Sequence, residues 1–158
     1  MRRSALAAVV LAAFALSSCA SLPPPPPRRP RRPPSKLAKA ILRTARAYLP
    51  EESRDLRTPR DCSDFVDRVF RANGVRLPRT SREMWRLGRP VASRNLRMGD
   101  LLFFSGARGG RRVGHVAIYD ADGIFIHEAS PADGVRLQSL YSDYYRERYL
   151  GARRILSD

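Results

Sequence analysis

Cysteine and histidine are scarce in this 158-residue chain, which has two of each. Two Cys cannot build a disulfide framework, and two His leave little material for a histidine-based metal centre. Long apolar runs are lacking too. The longest, residues 5–16, is about twelve residues, short of the roughly twenty that a membrane-spanning helix needs. Acidic residues are missing from positions 1–35, which hold six Arg. No internal repeat is present, which excludes a solenoid or propeller. What remains suits one ordinary domain: 43% hydrophobic and 28% charged residues, in a length close to the usual ~150 residues per domain. The net charge is +15, and the region from residue 36 onward retains an excess of basic over acidic side chains.

The first residues read as an export address. Met1-Arg2-Arg3-Ser4 is cationic and the apolar run follows, the architecture of a signal peptide. Leu16-Ser17-Ser18-Cys19 then resembles the lipobox of bacterial lipoproteins, in which the Cys is acylated and becomes the mature N-terminus. An ordinary secretory signal with a chance Cys is the alternative. The expected division is therefore a lipoprotein signal peptide at 1–18, lipidated Cys19 with a Pro/Arg-rich linker at 19–35, and a folded domain at 36–158. Eight of the 13 Pro lie between Pro23 and Pro34, interleaved with Arg28, Arg29, Arg31 and Arg32. Such a segment forms neither helix nor sheet and is expected to be extended and polyproline-like, and at about 3.1 Å per residue the sixteen residues 20–35 would reach roughly 50 Å. A spacer attracted to anionic head groups or wall polymer is the simplest role for it, and a ligand for a Pro-binding module is the other.

From Lys36 the pattern changes. Leu37, Ile41, Ala45 and Tyr48 recur at helical spacing and predict an amphipathic helix ending before Pro50. Cys62, Phe65, Val66, Val69 and Phe70 predict a second helix, stopped by Asn73-Gly74, with Cys62 at its N-terminal end on the inward face. Thr80 and Glu83 resemble a capping box opening a short third helix. Strand-favouring stretches follow at 101–104, 113–119, 124–129, 135–137 and 149–156. Helices first and strands afterwards indicate an α+β domain with an antiparallel sheet.

If Cys19 carries lipid, Cys62 is the one remaining thiol, and no intramolecular disulfide can form. A lone Cys at a helix N-terminus is a candidate nucleophile, because the helix dipole favours the thiolate and a nearby imidazolium would favour it further. His115 and His127 lie on consecutive strands, separated by a turn at Asp120-Ala121-Asp122-Gly123. Loop length decides whether they meet. Two- or four-residue loops turn them to opposite faces. A three-residue loop, Ala121-Asp122-Gly123, with Gly123 left-handed, pairs Ala117 with His127 and makes the two His diagonal neighbours on one face. That register is the expectation here, with His115 touching the thiolate and His127 orienting the imidazole. Two His in a hairpin are otherwise ordinary surface or core residues, and one Cys with two His could instead hold Zn as a three-ligand site.

The segments Asp61-Cys62-Ser63-Asp64-Phe65-Val66, Leu77-Pro78-Arg79-Thr80-Ser81, Met98-Gly99-Asp100-Leu101-Leu102-Phe103-Phe104, Gly114-His115-Val116-Ala117-Ile118-Tyr119, Phe125-Ile126-His127 and Tyr149-Leu150-Gly151-Ala152-Arg153-Arg154 occur in this order. Together they resemble the NlpC family of papain-like cysteine peptidases, which cut bacterial peptidoglycan stem peptides. The resemblance implies a papain-like fold, N-terminal helices packed on a C-terminal antiparallel sheet. It puts the nucleophile on Cys62, the base on His115 and the third polar residue on His127. Asp61 and Ser63 would hold a substrate amino group, helix capping being their other reading, and the Cys62 N–H would serve the oxyanion hole. Two departures stand out. Asp64 occupies a position where the family usually has Gly, placing a negative charge near the thiolate. The Tyr and paired Gly that commonly precede the Cys motif are absent between Pro50 and Arg60.

Asp100, Trp85 and Tyr119 read as structural, a turn residue and core aromatics. The expected function is a cell-wall hydrolase cleaving a stem-peptide amide through a Cys62 thioester, with D-glutamate joined to a diamino acid as the family's usual bond. Alternatives are an inactive wall-binding lipoprotein and an amidase of similar fold cutting the sugar–peptide link. No cofactor or metal is expected. Peptidoglycan stem peptides and, through the lipidated N-terminus, the membrane are the expected partners. Nucleic acid is not, because the basic residues are spread without a binding motif. A monomer is the expectation. Ala20 lacks the Asp that commonly retains lipoproteins in the inner membrane, so the implied location is the outer membrane, facing the periplasm.

Overall fold

Local rules suffice to start the domain. Ser35 caps α1 (Lys36–Arg46) by accepting the Ala38 N–H at 3.1 Å, and Arg43 and Arg46 lie in the last turn, where cations suit the helix dipole. The computed structural model describes residues 33–51, 56–106 and 109–157. The signal-like segment, Cys19 and nearly all of the Pro/Arg spacer lie outside the described residues. The buried face of α1 is Ala38, Ile41, Leu42 and Ala45, whereas Leu37 is 37% exposed. The expected stripe is thus rotated by one residue at its start, because positions spaced by four drift around the cylinder by about 40° per step. Tyr48 falls just beyond the helix, its ring edge-on to Phe65 with centroids 5.6 Å apart.

Helix α2 (Cys62–Ala72) buries Phe65, Val66, Val69 and Phe70 completely, each worth about 2 kcal/mol of apolar burial. It ends at Asn73 and left-handed Gly74, as expected. Helix α3 (Ser81–Met84) carries the Thr80–Glu83 capping box in full.

The remaining chain forms one six-stranded antiparallel sheet. Its strands are β1 (Arg89–Val91), β2 (Leu101–Ser105), β3 (Val113–Tyr119), β4 (Ile124–Glu128), β5 (Val135–Ser139) and β6 (Tyr149–Arg154), in the spatial order β1-β6-β2-β3-β4-β5. A short helix α4 (Asp143–Arg148) precedes β6. The sheet separates two apolar layers. On one face Val116, Ile118 and Ile126 pack with α1 and α2; on the other Phe104, Ala117, Tyr119 and Phe125 pack with Tyr145 and Tyr149. The C-terminal strand is pinned by a buried bidentate pair, Arg154 Nε and Nη2 each 2.7 Å from Asp100. Asp100 also accepts the Arg97 N–H at 2.7 Å, so it serves both as the expected turn residue and as an ion-pair partner.

Strand β1 and helix α4 have no counterpart in the sequence expectations. β1 is three residues long with Pro90 at its centre, a composition that argues against a strand except at a sheet edge, where β1 lies. Helix α4 buries none of its residues fully and so has no apolar stripe to read.

The β3–β4 hairpin fixes the geometry that matters for chemistry. Ile118 is opposite Ile126 and Tyr119 opposite Phe125. The Asp120 N–H donates to Ile124 O at 2.9 Å and the Ile124 N–H to Ala121 O at 2.7 Å, closing a three-residue connection. Gly123 has φ +81°, as anticipated, and Asp122 is also left-handed at +49°. Extended by one step, this register puts Ala117 across from His127.

Candidate active site

The site begins at the start of α2. Asp61, in extended conformation, caps the helix: its Oδ1 accepts the N–H groups of Ser63 and Asp64, both at 2.9 Å. The Phe65 N–H is taken by the Asp61 carbonyl at 3.0 Å. Among the described residues, that leaves the Cys62 N–H as the first-turn amide without an acceptor, available to a developing oxyanion. Cys62 itself is half-buried and packs against the core. Its thiol accepts the backbone N–H of Val116, the residue that follows His115.

His115 and His127 project to the same side of the hairpin. His115 Nε2 and His127 Nδ1 are 2.8 Å apart, with ring centroids 5.0 Å apart and planes near perpendicular. His127 is fully buried among Phe125 and Tyr145, and its Nε2 lies 3.3 Å from the Tyr145 hydroxyl. A consistent assignment of protons follows. His127 Nε2–H donates to Tyr145, His127 Nδ1 accepts from His115 Nε2–H, and His115 Nδ1 is left as the basic nitrogen. Tyr145 was not anticipated from sequence. It stands on α4, eighteen residues from His127, and adjacent Tyr144-Tyr145 carries no local pattern that distinguishes the partly buried ring from the exposed one.

The charge state differs from expectation. Burial pushes the Cys62 thiol up, and the carboxylates of Asp61 and Glu128 push in the same direction, against the Val116 hydrogen bond. Burial lowers His115 to about 4, while burial, His115 and Arg136 together lower His127 to about 3. Burial thus favours a neutral thiol and neutral imidazoles over the thiolate and imidazolium that the helix dipole suggested. Asp64 is not among the groups raising the thiol. Its buried carboxylate accepts the Arg60 N–H at 2.8 Å and pairs with Arg68 at 2.8 Å and Arg60 at 3.5 Å, so its charge is spent locally. Glu128, 3% exposed, has an Oε1 without a hydrogen-bond partner, and burial and Asp61 raise its carboxyl.

Asp61 and Ser63 are both engaged. Besides capping α2, Asp61 forms a two-point pair with Arg79, and Ser63 Oγ accepts from the same guanidinium. These bonds hold the Asp61 carboxyl well below the ordinary carboxylate range. No cluster of three or more His, Cys, Asp or Glu placed to hold a metal ion occurs among the described residues, so the three-ligand zinc alternative gains no support.

A model of the NlpC/P60 family matches residues 50–154. The murein DD-endopeptidase MepS/murein LD-carboxypeptidase of Escherichia coli K12 is 44% identical over 98 residues, covering 61% of this chain and 50% of that protein. A gamma-D-glutamyl-L-lysine dipeptidyl-peptidase of Bacillus cereus is 38% identical over 96 residues, covering 61% of this chain and 29% of that protein. The chain thus spans half or less of the length of these curated relatives. Among solved structures, an NlpC/P60 family protein from Bacillus cereus superposes with a TM-score of 0.65 at 31% identity, covering 80% of this chain and 42% of that one. The matched region takes in the α2 start, the β3–β4 hairpin and the sheet that joins them, in the papain-like α+β arrangement, and on these grounds the chain belongs to the NlpC/P60 family.

Proposed function

We propose that this protein is a cysteine peptidase that hydrolyses an amide of the peptidoglycan stem peptide, with Cys62 as nucleophile, His115 as general base and then acid, and His127 as the residue that orients it. One observation carries this above all: the hairpin register brings His115 and His127 to 2.8 Å, while the peptide following His115 touches the Cys62 thiol. As Sγ attacks the carbonyl carbon, its proton passes to His115 Nδ1, and the oxyanion takes the Cys62 N–H. Collapse of the intermediate breaks the C–N bond, and His115 returns the proton to the leaving amine. Water, deprotonated by His115, then hydrolyses the thioester to a carboxylate. A neutral resting thiol suits this order, since the base acts as the bond forms.

The bond between D-glutamate and a diamino acid is the proposed target. Purified peptidoglycan is incubated with the full chain and with Cys62→Ala, and the released fragments are identified by mass spectrometry. Fragments cut within the stem and lost in Cys62→Ala are expected. Intact stems freed from sugar would show an amidase instead, and retention without release a wall-binding protein. We also propose that Cys19 carries lipid and anchors the protein at the outer membrane, facing the periplasm, with 19–35 as spacer. Cys19→Ala should then move it from the membrane pellet to the soluble fraction.

A further inference from the structure

The two residues that flank Cys62 were expected to receive a substrate ammonium, yet a cation of the chain itself sits on both. Arg79 Nη2 donates to Asp61 Oδ2 at 2.7 Å, and Nη1 to Asp61 Oδ1 at 3.1 Å and to Ser63 Oγ at 2.8 Å. Ser63 Oγ in turn donates to Asp61 Oδ1 at 2.7 Å, and that oxygen also caps two helix amides. Oδ1 has no lone-pair direction left, and a single ammonium is a poor competitor for a fork-like, two-point guanidinium. Arg79 is nonetheless 42% exposed, with N–H groups to spare. It lines a cavity of about 720 Å³ together with Asp67, Arg71, Gly74, Arg76 and Leu77. With Arg71 offset by Asp67 and Arg79 by Asp61, Arg76 is the cation of this lining without a carboxylate partner among the described residues, and Arg79 links the cavity to the neighbours of Cys62.

We propose that Arg79 and Arg76 form a carboxylate-binding subsite beside Cys62, so that this protein selects its peptide by a free carboxylate near the scissile amide and not by a free amino terminus. The proposal deepens the peptidase reading and rests on it for the identity of the peptide. Stem peptides are well suited to such a site, because γ-linked D-glutamate leaves its α-carboxylate free.

Binding and cutting are measured separately. Calorimetric titration of the full-length Cys62→Ala chain uses three synthetic stem peptides: one with free carboxylates, one with every carboxylate converted to carboxamide, and one N-acetylated with its carboxylates free. Amidation should weaken binding about tenfold or more, and N-acetylation by less than about twofold. Arg76→Ala in the same background should weaken the free-carboxylate peptide several-fold and leave the carboxamide unaffected, and Arg79→Gln should abolish the preference. Should Arg79→Gln fail to fold by circular dichroism, the peptide series and Arg76→Ala decide the matter without it. Loss of binding on N-acetylation with indifference to amidation would overturn the proposal, as would absence of binding by all three peptides. Selective binding without cleavage by the Cys62 form would leave the subsite standing and refute the peptidase reading.

Discussion

At the level of single residues, the decisive fact is how dry the site is. A thiol at a helix N-terminus next to a histidine is ordinarily expected to ionise easily, but Cys62 is pushed up by burial and by two carboxylates, Asp61 and Glu128. Its alkylation by iodoacetamide should therefore be slow at neutral pH and accelerate only in the alkaline range. Glu128→Gln removes one of the two charges and should lower the thiol's pKa, raising the alkylation rate at pH 7.5 a few-fold. The pH profile of the rate constant checks this, and an unchanged profile would mean that Glu128 does not act on the thiol. The places of the candidate residues were legible in the sequence, Cys62 at the start of a helix and His115 and His127 on one face of a hairpin. Their charge was not, because desolvation sums over neighbours from every layer of the fold.

Among the elements, the hairpin is the one on which the site depends. Its three-residue connection needs a left-handed Gly123, where an added Cβ would also fall 2.2 Å from the Tyr141 ring. Tyr141 is exposed and can move, so backbone strain should dominate the cost of Gly123→Ala, about 1 to 2 kcal/mol of stability. Adding Tyr141→Ala should recover little of it, and urea denaturation of the single and double variants measures the difference. A left-handed Gly123 could be read from sequence, because turn chemistry is local, whereas loops of two, three or four residues were all open and the structure selects three. By contrast α4, which brings Tyr145 to His127, was not foreseen: a six-residue helix without a buried stripe is held by what it packs on.

For the whole molecule, the buried imidazoles make stability depend on pH. In the unfolded chain a histidine takes up its proton near pH 6.5, but in the fold His115 does so at about 4 and His127 at about 3. Between those limits the unfolded state binds more protons, so stability falls as pH drops from about 6.5 toward 3. Asp61 and Asp64, both lowered, add a further loss below the ordinary carboxylate range, while Glu128, raised, acts with the opposite sign. Denaturant midpoints at pH 7 and pH 5 should show the decline, and His127→Gln should reduce it.

The amino-acid sequence alone determined helices α1 to α3, strands β2 to β6 in their order, the start of α2 at Cys62 and the expectation that two histidines share a face. Each of these follows from residues a few positions apart, where periodicity, capping and backbone conformation act. Only the tertiary structure decided the raised thiol, the Tyr145 support behind His127 and the pairing of Asp61 and Ser63 with Arg79. Those depend on groups distant in the chain that exclude water from one another, and neither dehydration nor a long-range ion pair leaves a pattern in local spacing.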